Sequence, residues 1–488
     1  MSAPCHFVIF GAAGHLARTK LLPSLYDLER AGRLAGDLAF TALARRDWDT
    51  ERWRASMREL LTERHGDDLD AECAQRLAER FQYVQGEHQD PQIYRRVRDD
   101  VTARRGACRD VAVYLAVPPS EYTAVIAGLE AAGLNDLAEG HRIVLEKPFG
   151  SDLGTARALN AELHRHYDER QIYRIDHYLG KETVQNLFVF RFANAVIEPL
   201  WNRHHIDHVQ IIMDERPGIG TRAGYFDGVG ALRDMVQSHL LQVLAFVAME
   251  PPATLEADQL HAEKVKVLRS IRPLTSTSVD ASAVRGRYTE GDLDGKRVPG
   301  YCQEPGVADG STTETYAAMK LFVDNWRWQG VPFYLRTGKR LAISQSLVAI
   351  RFRDAPHQLF RDTPCERVEP NWLILSIQPE ESIRFELQAR HPGLKMTPRL
   401  LRISTAYRTE QEQALDAYAT LLLGIMEGDR SLFIRFDEVE MAWQVLEPVM
   451  QRWHASAHDL HGYRPGSWGP EQASRLFEWP HQRWRDGA

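Results

Sequence analysis

The chain has 488 residues, enough for two or three domains, and its 44% hydrophobic and 26% charged residues are typical of a globular protein. Its formal net charge of -7 argues against nucleic-acid binding and a polybasic membrane surface, so an anionic ligand needs a local basic site. The five scattered cysteines include no CxxC pair, which argues against a disulfide framework or a structural zinc site.

The sequence shows no targeting or membrane-spanning segment. Residues 1–6 lack the basic region, apolar region and cleavage site of a signal peptide. The most apolar stretch, residues 240–249, is too short to span a bilayer. We therefore expect a soluble, cytoplasmic protein with no membrane partner.

The first third of the chain alternates short apolar runs with longer amphipathic stretches. The expected strands are 7–10, 38–43, 111–117 and 143–145, and the expected helices include 16–30, 53–61 and 71–81. Strands and helices in alternation predict a mostly parallel, doubly wound sheet. We expect an α/β Rossmann-like domain over residues 1–178.

The remaining chain is richer in strands. Strand-like runs occur at 208–214, 346–352, 372–377, 383–388 and 400–405, and long helical stretches follow at 412–426 and 437–453. Residues 293–311 are rich in Gly, Pro and Asp, which predicts a long surface loop. We expect residues 179–488 to form a larger α+β domain with a mostly antiparallel sheet.

A glycine-containing turn follows the first strand. Gly11 and Gly14 lie in the sequence Gly-Ala-Ala-Gly-His-Leu, and a helical stretch begins at its end. Such a turn lets the backbone approach a pyrophosphate, while the helix N-terminus supplies amide donors. The pattern is looser than GxGxxG, so a tight turn without a ligand is the alternative. Its place at the start of an α/β chain favours dinucleotide binding.

The second strand ends in Ala44-Arg45-Arg46. Enzymes that select NAD tend to place a carboxylate here for the ribose hydroxyls, whereas an arginine suits the 2′-phosphate of NADP. The alternative is a solvated pair of arginines. Because ligands bind at the carboxyl ends of strands in open sheets, we predict that Arg45 contacts the 2′-phosphate.

Residues 174–182 concentrate polar side chains. If this segment is helical, His177 and Lys181 are four apart and Tyr178 and Lys181 are three apart, so their side chains converge. An imidazole, a phenol and an ammonium group together suit a phosphate monoester. Asp176 then points elsewhere and is able to pair with another group. The alternative is a polar helix face with incidental ion pairs.

Residues 231–249 have a helical period that places His239 on one stripe with Leu232 and Val236. A single histidine on such a face is more often a core residue than a catalyst. The periodicity alone therefore gives His239 no chemical role.

Several motifs, in the expected order and over essentially the whole chain, resemble the glucose-6-phosphate dehydrogenase family. They are Glu-Lys-Pro-Phe-Gly at 146–150, Arg-Ile-Asp-His-Tyr-Leu-Gly-Lys-Glu at 174–182 with the stretch 183–203 after it, Leu-Arg-Asp-Met-Val-Gln-Ser-His-Leu-Leu-Gln at 232–242, and Pro-Phe-Tyr-Leu-Arg-Thr-Gly-Lys at 332–339.

The resemblance implies roles for individual residues. His239 is the implied general base, and Asp176 pairs with it. The implied substrate residues bind the phosphate or contact the sugar: His177, Tyr178 and Lys181 for the phosphate, and Glu215, Asp234, Lys339 and Lys147 for the sugar. The implied cofactor residues are Gly11, Ala12, Ala13, Gly14, His15, Leu16, Arg45 and Lys147. The peptide bond between Lys147 and Pro148 is expected to be cis.

The same resemblance implies the reaction and the partners. D-glucose 6-phosphate is oxidised to 6-phospho-D-glucono-1,5-lactone with hydride transfer to NADP⁺, in the first step of the oxidative pentose phosphate pathway. NAD⁺ is a secondary acceptor. A histidine titrates near neutral pH and so suits removal of the hydroxyl proton, and no metal is needed. A homodimer or homotetramer is expected, with substrate binding and oligomerisation in residues 179–488.

Three positions depart from the family pattern. The glycine turn carries Ala13 where a small hydroxyl residue is usual and His15 where an aspartate is usual, so the preference for NADP over NAD is open. Ser344 stands where a second substrate lysine is common, which predicts a raised Michaelis constant for substrate. The alternatives are a related dehydrogenase with another sugar or with NAD preferred, and a catalytically silent homologue. The joint presence of the motif residues argues against a silent homologue.

Overall fold

The computed structural model describes residues 5–104, 110–138, 140–357, 359–360, 368–394, 396–407 and 415–487. The chain forms two compact units. The first comprises Met1–Glu182, Ala253–His261 and Gln413–Glu440, and the second comprises Thr183–Pro252, Ala262–Glu412 and Met441–Ala488. Each unit contains one large sheet.

The first unit contains a six-stranded parallel sheet in the order β3-β2-β1-β4-β5-β6. Its strands, largely buried, are β1 (Cys5–Phe10), β2 (Ala39–Ala44), β3 (Phe81–Gln85), β4 (Asp110–Leu115), β5 (Gly140–Leu145) and β6 (Ile172–Arg174). The order reverses between β1 and β4, and ligands bind outside the carboxyl ends of the strands at such a point. This topology confirms the predicted Rossmann-like α/β fold.

Helices connect these strands and cover the sheet. They are α1 (Leu22–Arg30), preceded by a π-helix (Ala17–Leu21), α2 (Thr50–His65), α3 (Ala71–Glu79), α4 (Pro91–Arg104), α5 (Tyr122–Ala131) and α6 (Leu153–Leu163), with short 3-10 turns at Gly66–Asp68, Pro119–Glu121 and Glu169–Gln171. The side chains of Asp49, Asp70 and Asp152 accept backbone amide hydrogen bonds at the starts of α2, α3 and α6. These caps explain where the three helices begin.

The second unit contains a nine-stranded sheet in the order β16-β15-β14-β13-β7-β12-β11-β8-β17. Its strands are β7 (Ile206–Asp214), β8 (Ala283–Tyr288), β11 (Tyr316–Phe322), β12 (Pro332–Gly338), β13 (Gln345–Phe352), β14 (Trp372–Gln378), β15 (Ser382–Arg390), β16 (Pro398–Ala406) and β17 (Leu460–Tyr463), while β9 (Gly291–Leu293) and β10 (Lys296–Val298) form a separate hairpin. The β12–β7 and β17–β8 pairs are parallel and the other pairs are antiparallel, which confirms the predicted mostly antiparallel sheet.

The remaining helices follow in chain order. They are α7 (Glu182–Phe192), α8 (Ala223–Phe226), a π-helix (Leu232–Leu240) that continues into α9 (Leu241–Ala248), α10 (Ala257–Arg269), α11 (Val279–Ser282), α12 (Ala417–Glu427) and α13 (Phe436–Ala455), with 3-10 turns at Glu198–Leu200, Gly220–Arg222, Tyr301–Gln303 and Glu471–Leu476. No helix in the described ranges is both long enough and apolar enough to cross a bilayer.

Two of the predicted stretches differ in detail from the structure. The helix expected from residue 412 begins as α12 at Ala417, and residues 412–414 lie outside the described part of the chain. The loop expected at 293–311 starts within the β9–β10 hairpin, because Asp294 and Gly295, both at positive φ, form a two-residue turn that pairs Leu293 with Lys296. Cys108, Cys365 and residues 1–4, on which sequence predictions were also made, are likewise outside the described residues.

Candidate active site

The glycine turn after β1 lies where the strand order of the first sheet reverses. Gly11 has a φ of 78°, and a Cβ on it would lie 2.3 Å from the carbonyl oxygen of Ala116, so the turn requires glycine. The Gly11 amide donates to the carbonyl of Leu43 at 3.0 Å, which ties the turn to the end of β2. Gly14 and His15 are exposed, and helical backbone begins at His15. An exposed turn that leads into a helix N-terminus is able to bind a phosphate group.

Arg45 is exposed at the carboxyl end of β2. The Tyr83 hydroxyl donates to the carbonyls of Ala44 at 3.1 Å and Arg46 at 2.8 Å, which holds the backbone on both sides of Arg45. The Arg46 guanidinium lies 4.7 Å from the ring centroid of Trp48. Of the two neighbouring arginines, Arg46 therefore packs on an aromatic ring, and Arg45 extends from a fixed stretch of backbone.

The helix considered for residues 174–182 is wrong. The segment leaves β6, makes a turn, and becomes helical only at its last residue. The Asp176 carboxylate accepts the Tyr178 amide at 3.0 Å, a local hydrogen bond that competes with helix formation. A Cβ on Gly180 would lie 2.4 Å from the carbonyl oxygen of Ala417, so close packing against α12 also holds this turn.

The three predicted phosphate ligands nevertheless lie side by side. The ring centroids of His177 and Tyr178 are 5.0 Å apart, and the Lys181 ammonium lies 4.1 Å from the Tyr178 centroid. The His177 ring also stacks on Tyr418 of α12, with centroids 6.1 Å apart and planes inclined by 11°. The turn thus places an imidazole, a phenol and an ammonium group in one small region of the first unit.

Glu146 and Lys147 follow β5 at the carboxyl edge of the first sheet. The peptide bond between Lys147 and Pro148 is cis, as expected. The Tyr114 hydroxyl donates to the Glu146 carboxylate at 2.5 Å, and the Tyr418 hydroxyl also hydrogen-bonds to it. Burial raises the pKa of Glu146 to about 7, because it outweighs the opposing effects of the two hydroxyls and of Lys147.

Asp234 and His239 lie in the π-helix Leu232–Leu240, where sequence periodicity predicted an ordinary helix. The i→i+5 hydrogen bonds of a π-helix widen its turn, so residues five positions apart come close to the same face. In an α-helix such residues point in different directions. Asp234 and His239 are five apart and only 6% and 1% exposed. The wide turn therefore presents a carboxylate and an imidazole from one side of the helix.

Buried side chains cap both ends of this helical segment. At the N-terminal end the Glu314 carboxylate accepts the Leu232 amide at 2.9 Å, and burial raises the pKa of Glu314. At the C-terminal end Arg191, Trp201 and Trp328 donate side-chain N–H groups to backbone carbonyls. These bonds, of 2.8 to 3.0 Å, reach the carbonyls of Phe246, Val247, Ala248 and Met249. The bonds satisfy groups that a helix end leaves unpaired, and they hold the helix that carries His239.

Glu215 and Lys339 follow the adjacent parallel strands β7 and β12. The Glu215 amide donates to the Gly338 carbonyl at 2.9 Å, and the Lys339 ammonium forms an ion pair with the Glu215 carboxylate. The Ser344 hydroxyl accepts the Arg216 amide at 2.9 Å. At the position where a second substrate lysine was expected, the chain thus uses a hydroxyl to hold its own backbone.

The predicted residues divide between the two units. The first unit carries the residues assigned to cofactor and phosphate, namely residues 11–16, Arg45, Lys147, Asp176, His177, Tyr178 and Lys181. The second carries the residues assigned to sugar and base, namely Glu215, Asp234, His239 and Lys339. The two members of the predicted catalytic pair, Asp176 and His239, are each 1% exposed within this chain.

Two family profiles match nearly the whole chain. Residues 8–186 match the profile described as glucose-6-phosphate dehydrogenase, NAD binding domain, and residues 188–485 match the one described as its C-terminal domain. The chain belongs to the glucose-6-phosphate dehydrogenase family. The predicted resemblance is thereby confirmed.

Relatives within the glucose-6-phosphate dehydrogenase family match end to end. The glucose-6-phosphate 1-dehydrogenase of Mycolicibacterium smegmatis is 43% identical over 491 residues, covering 99% of this chain and 98% of that protein. The enzyme of the same name from Dickeya dadantii is 41% identical over 486 residues, with 99% and 98% coverage. A solved structure described as glucose-6-phosphate dehydrogenase in complex with its substrate glucose-6-phosphate has a TM-score of 0.89 at 30% identity, with 98% and 99% coverage. A Mycobacterium avium glucose-6-phosphate 1-dehydrogenase structure has a TM-score of 0.82 at 37% identity, with 99% and 100% coverage.

Sequence reasoning missed several polar residues that support this glucose-6-phosphate dehydrogenase site. Glu146 lies in a motif that was recognised and directly follows a strand, so its position was a usable indication. Glu314 gave no local indication, because its amide partner is 82 positions away along the chain. The same holds for Arg191, whose carbonyl partners lie more than fifty positions further on.

Proposed function

We propose that this chain oxidises D-glucose 6-phosphate to 6-phospho-D-glucono-1,5-lactone and passes hydride to a nicotinamide dinucleotide, in the first step of the oxidative pentose phosphate pathway. The observation that carries the proposal is full-length identity of 43% and 41% to two proteins named glucose-6-phosphate 1-dehydrogenase. The structural relative with a TM-score of 0.89 is described as bound to glucose-6-phosphate as its substrate, which supports the same substrate here.

NADP⁺ is the proposed acceptor, with NAD⁺ as a secondary one. The turn at residues 11–16, exposed at Gly14 and His15, fits a pyrophosphate, because Gly11 and Gly14 lack side chains and a helix N-terminus follows. Arg45 is the proposed contact of the 2′-phosphate, since a guanidinium matches phosphate geometry. When bound, the nicotinamide supplies the hydride acceptor, and Lys147 is proposed to lie where cofactor and sugar meet.

The substrate phosphate is proposed to bind His177, Tyr178 and Lys181. Their proximity supports this role, since the three groups supply donors of which two are able to carry positive charge. The sugar hydroxyls are proposed to be held by carboxylates and ammonium groups at the strand ends and on the π-helix, namely Glu215, Asp234, Lys339 and Lys147. The existing Glu215–Lys339 ion pair holds the two groups together at the carboxyl ends of β7 and β12.

His239 is the proposed general base. It takes the proton of the C1 hydroxyl oxygen onto an imidazole nitrogen while hydride leaves C1 and the C1–O bond becomes a carbonyl. Asp176 is the proposed partner that orients the imidazole and stabilises its charged form. The burial of both groups supports these roles, because charge interactions are stronger away from bulk water.

The direct experiment measures reduced nicotinamide and lactone together when purified protein is given glucose 6-phosphate with NADP⁺ or NAD⁺. We expect one reduced nicotinamide per lactone and a higher kcat/KM with NADP⁺. Absence of turnover with both acceptors would refute the proposed function. A higher kcat/KM with NAD⁺ would leave the reaction standing and refute the acceptor preference.

We also propose that the chain assembles as a homodimer or homotetramer through the second sheet. Both faces of the outer strand β16 are largely exposed, and Leu401 and Ile403 on it are 37% and 51% exposed. An apolar, open sheet edge favours pairing with another chain. Sedimentation equilibrium decides the stoichiometry, and a monomer at micromolar concentration would contradict this assembly. The division into domains 1–178 and 179–488 and a cytoplasmic location remain predictions from the sequence.

A further inference from the structure

Glu146 is held by three tyrosines from three different elements. The Tyr114 hydroxyl, from β4, donates to its carboxylate at 2.5 Å. The Tyr418 hydroxyl, from α12, hydrogen-bonds to the same carboxylate. The Tyr122 hydroxyl, from α5, donates to the Glu146 backbone carbonyl at 2.9 Å. Hydrogen bonds thus hold both the backbone and the side chain of Glu146. This is more than the solvation of a surface carboxylate requires.

Glu146 connects to residues that were assigned to the substrate. Its carbonyl, held by Tyr122, belongs to the peptide group that leads into Lys147. Its partner Tyr418 stacks on His177, with ring centroids 6.1 Å apart and planes inclined by 11°. Glu146 is therefore joined to Lys147 through its own peptide group, and its carboxylate is joined to the Tyr418 hydroxyl, whose ring stacks on His177.

We propose that Glu146 is a positioning residue for substrate binding: its carboxylate fixes the Tyr418 ring behind His177, and its carbonyl, held by Tyr122, fixes the main chain before Lys147. This inference rests on the proposed function, since it uses His177 and Lys147 as substrate contacts. Glu146 itself is not proposed to touch the sugar phosphate or to exchange a proton with it. Its part is to keep an imidazole and an ammonium group where the substrate requires them.

The hydrogen-bonding requirement of the network depends on the charge of Glu146. As a carboxylate it accepts from both the Tyr114 and Tyr418 hydroxyls. As a neutral acid it has a hydroxyl that donates, so one tyrosine must turn its own hydrogen away and accept instead, and both bonds lose the negative charge that strengthens them. The ionised form is therefore the one that holds both rings more strongly.

Glu146 changes its charge near neutral pH. Burial raises its pKa to about 7; the Tyr114 and Tyr418 hydroxyls and Lys147 oppose that rise, and the negative charge of Asp176 adds to it. The groups that face Glu146 from the elements around it are thus Tyr114, Tyr418, Lys147 and Asp176, with Tyr122 at its carbonyl. Substrate binding should accordingly benefit from Glu146 above neutral pH and gain little from it below.

The test compares wild type with Glu146→Gln, which keeps the size of the side chain but is neutral at every pH and has only one acceptor oxygen. Loss of a hydrogen bond to a charged group predicts a rise in KM for glucose 6-phosphate of about tenfold at about pH 8.5, with kcat changed by less than about threefold. At about pH 5.5 Glu146 of the wild type is itself protonated, so the ratio of the variant's KM to the wild-type KM should fall to about twofold or less. A purely structural role predicts a KM ratio that does not depend on pH.

A second variant keeps the test decisive if Glu146→Gln does not fold. Tyr114→Phe leaves Glu146 in place and removes one donor, so it should raise KM in the same direction but by less than Glu146→Gln. The matched control is Tyr167→Phe, in which a buried hydroxyl that donates to Asn135 at 3.0 Å is lost from the same unit. The control should leave KM and its pH dependence unchanged.

The possible outcomes separate the two claims. If wild type turns over glucose 6-phosphate and Glu146→Gln shows an unchanged or pH-independent KM, the positioning role is overturned and the proposed function stands. If Glu146→Gln does not fold, a KM for Tyr114→Phe equal to that of the Tyr167→Phe control overturns the positioning role. If wild type has no turnover, the proposed function fails and the inference fails with it.

Discussion

Replacement of His141 by phenylalanine tests how acid weakens the first unit. His141 is a β5 residue that is 1% exposed, and its ring stacks on Tyr167 with centroids 5.5 Å apart at 11°. Neither ring nitrogen has a hydrogen-bond partner among the described residues. Phenylalanine keeps a planar ring of similar size for the stack and removes the titrating group. Because two buried polar atoms disappear, we expect the variant to be more stable at neutral pH by about 1–3 kcal/mol.

The change of the free energy of unfolding with pH is larger and more specific than the stability difference at neutral pH. Burial, with a smaller contribution from the charge of Arg142, lowers the pKa of His141 from 6.5 to about 4. Between these values the unfolded chain binds a proton that the folded chain does not, so the free energy of unfolding falls as pH falls from about 6.5 to about 4. A difference of about 2.5 units at about 1.4 kcal/mol per unit corresponds to about 3.5 kcal/mol, of which about 3 kcal/mol is lost by pH 4. The His141→Phe variant does not lose this part of its free energy of unfolding in acid. Above about pH 6.5, protonation of His141 no longer affects the stability of the wild type.

Hydrogen exchange of the β5 amides, corrected for intrinsic rates, measures the stability of the first unit without assuming that both units unfold together. The stability difference between His141→Phe and wild type should grow by about 3 kcal/mol from pH 7 to pH 4. The exposed His15, which lies in the same unit, provides the matched control, since His15→Phe should give a curve parallel to wild type. Parallel curves for His141→Phe and wild type would refute the reasoning.

Three further substitutions test the candidate site. His239→Asn should lower kcat by about 10²–10⁴-fold with KM for glucose 6-phosphate changed less than about threefold, and steady-state kinetics that show normal kcat would exclude His239 as the base. Arg45→Ala should raise KM for NADP⁺ by about tenfold or more and leave KM for NAD⁺ nearly unchanged, and equal effects on both would contradict a contact with the 2′-phosphate. Trp328→Phe removes the donor to the Ala248 carbonyl and should cost about 1–3 kcal/mol in chemical denaturation, whereas an unchanged midpoint would show that this cap contributes nothing.

The sequence predicted the fold well where local pattern and tertiary structure agree. The strand that ends at Gly11 and the arginine at the end of β2 were placed correctly, because buried parallel strands are continuous apolar runs with clear ends. The strand-like runs of the later chain likewise predicted the second sheet, although not that two of its strand pairs are parallel.

The prediction failed where distant contacts override local preference. Residues 174–182 have a helical spacing, but the Asp176 carboxylate binds the Tyr178 amide, and Gly180 packs against α12 from the far end of the chain. The π-helix around His239 could not be recognised from periodicity, because residues 231–249 show an ordinary helical period and nothing in the sequence marks the wider i→i+5 hydrogen bonding. The capping role of Glu314 depends on a partner far along the chain and has no local pattern.

The central claim is that this chain oxidises a phosphorylated sugar, and the ratio of kcat/KM for glucose 6-phosphate to that for unphosphorylated glucose tests it most directly. Binding of the phosphate by His177, Tyr178 and Lys181, at about 1.5–3 kcal/mol for each charge-assisted hydrogen bond, predicts a ratio of at least about 10³ with the same nicotinamide acceptor. The ratio should fall by about tenfold or more in Lys181→Ala. A ratio near one in wild type would contradict the account.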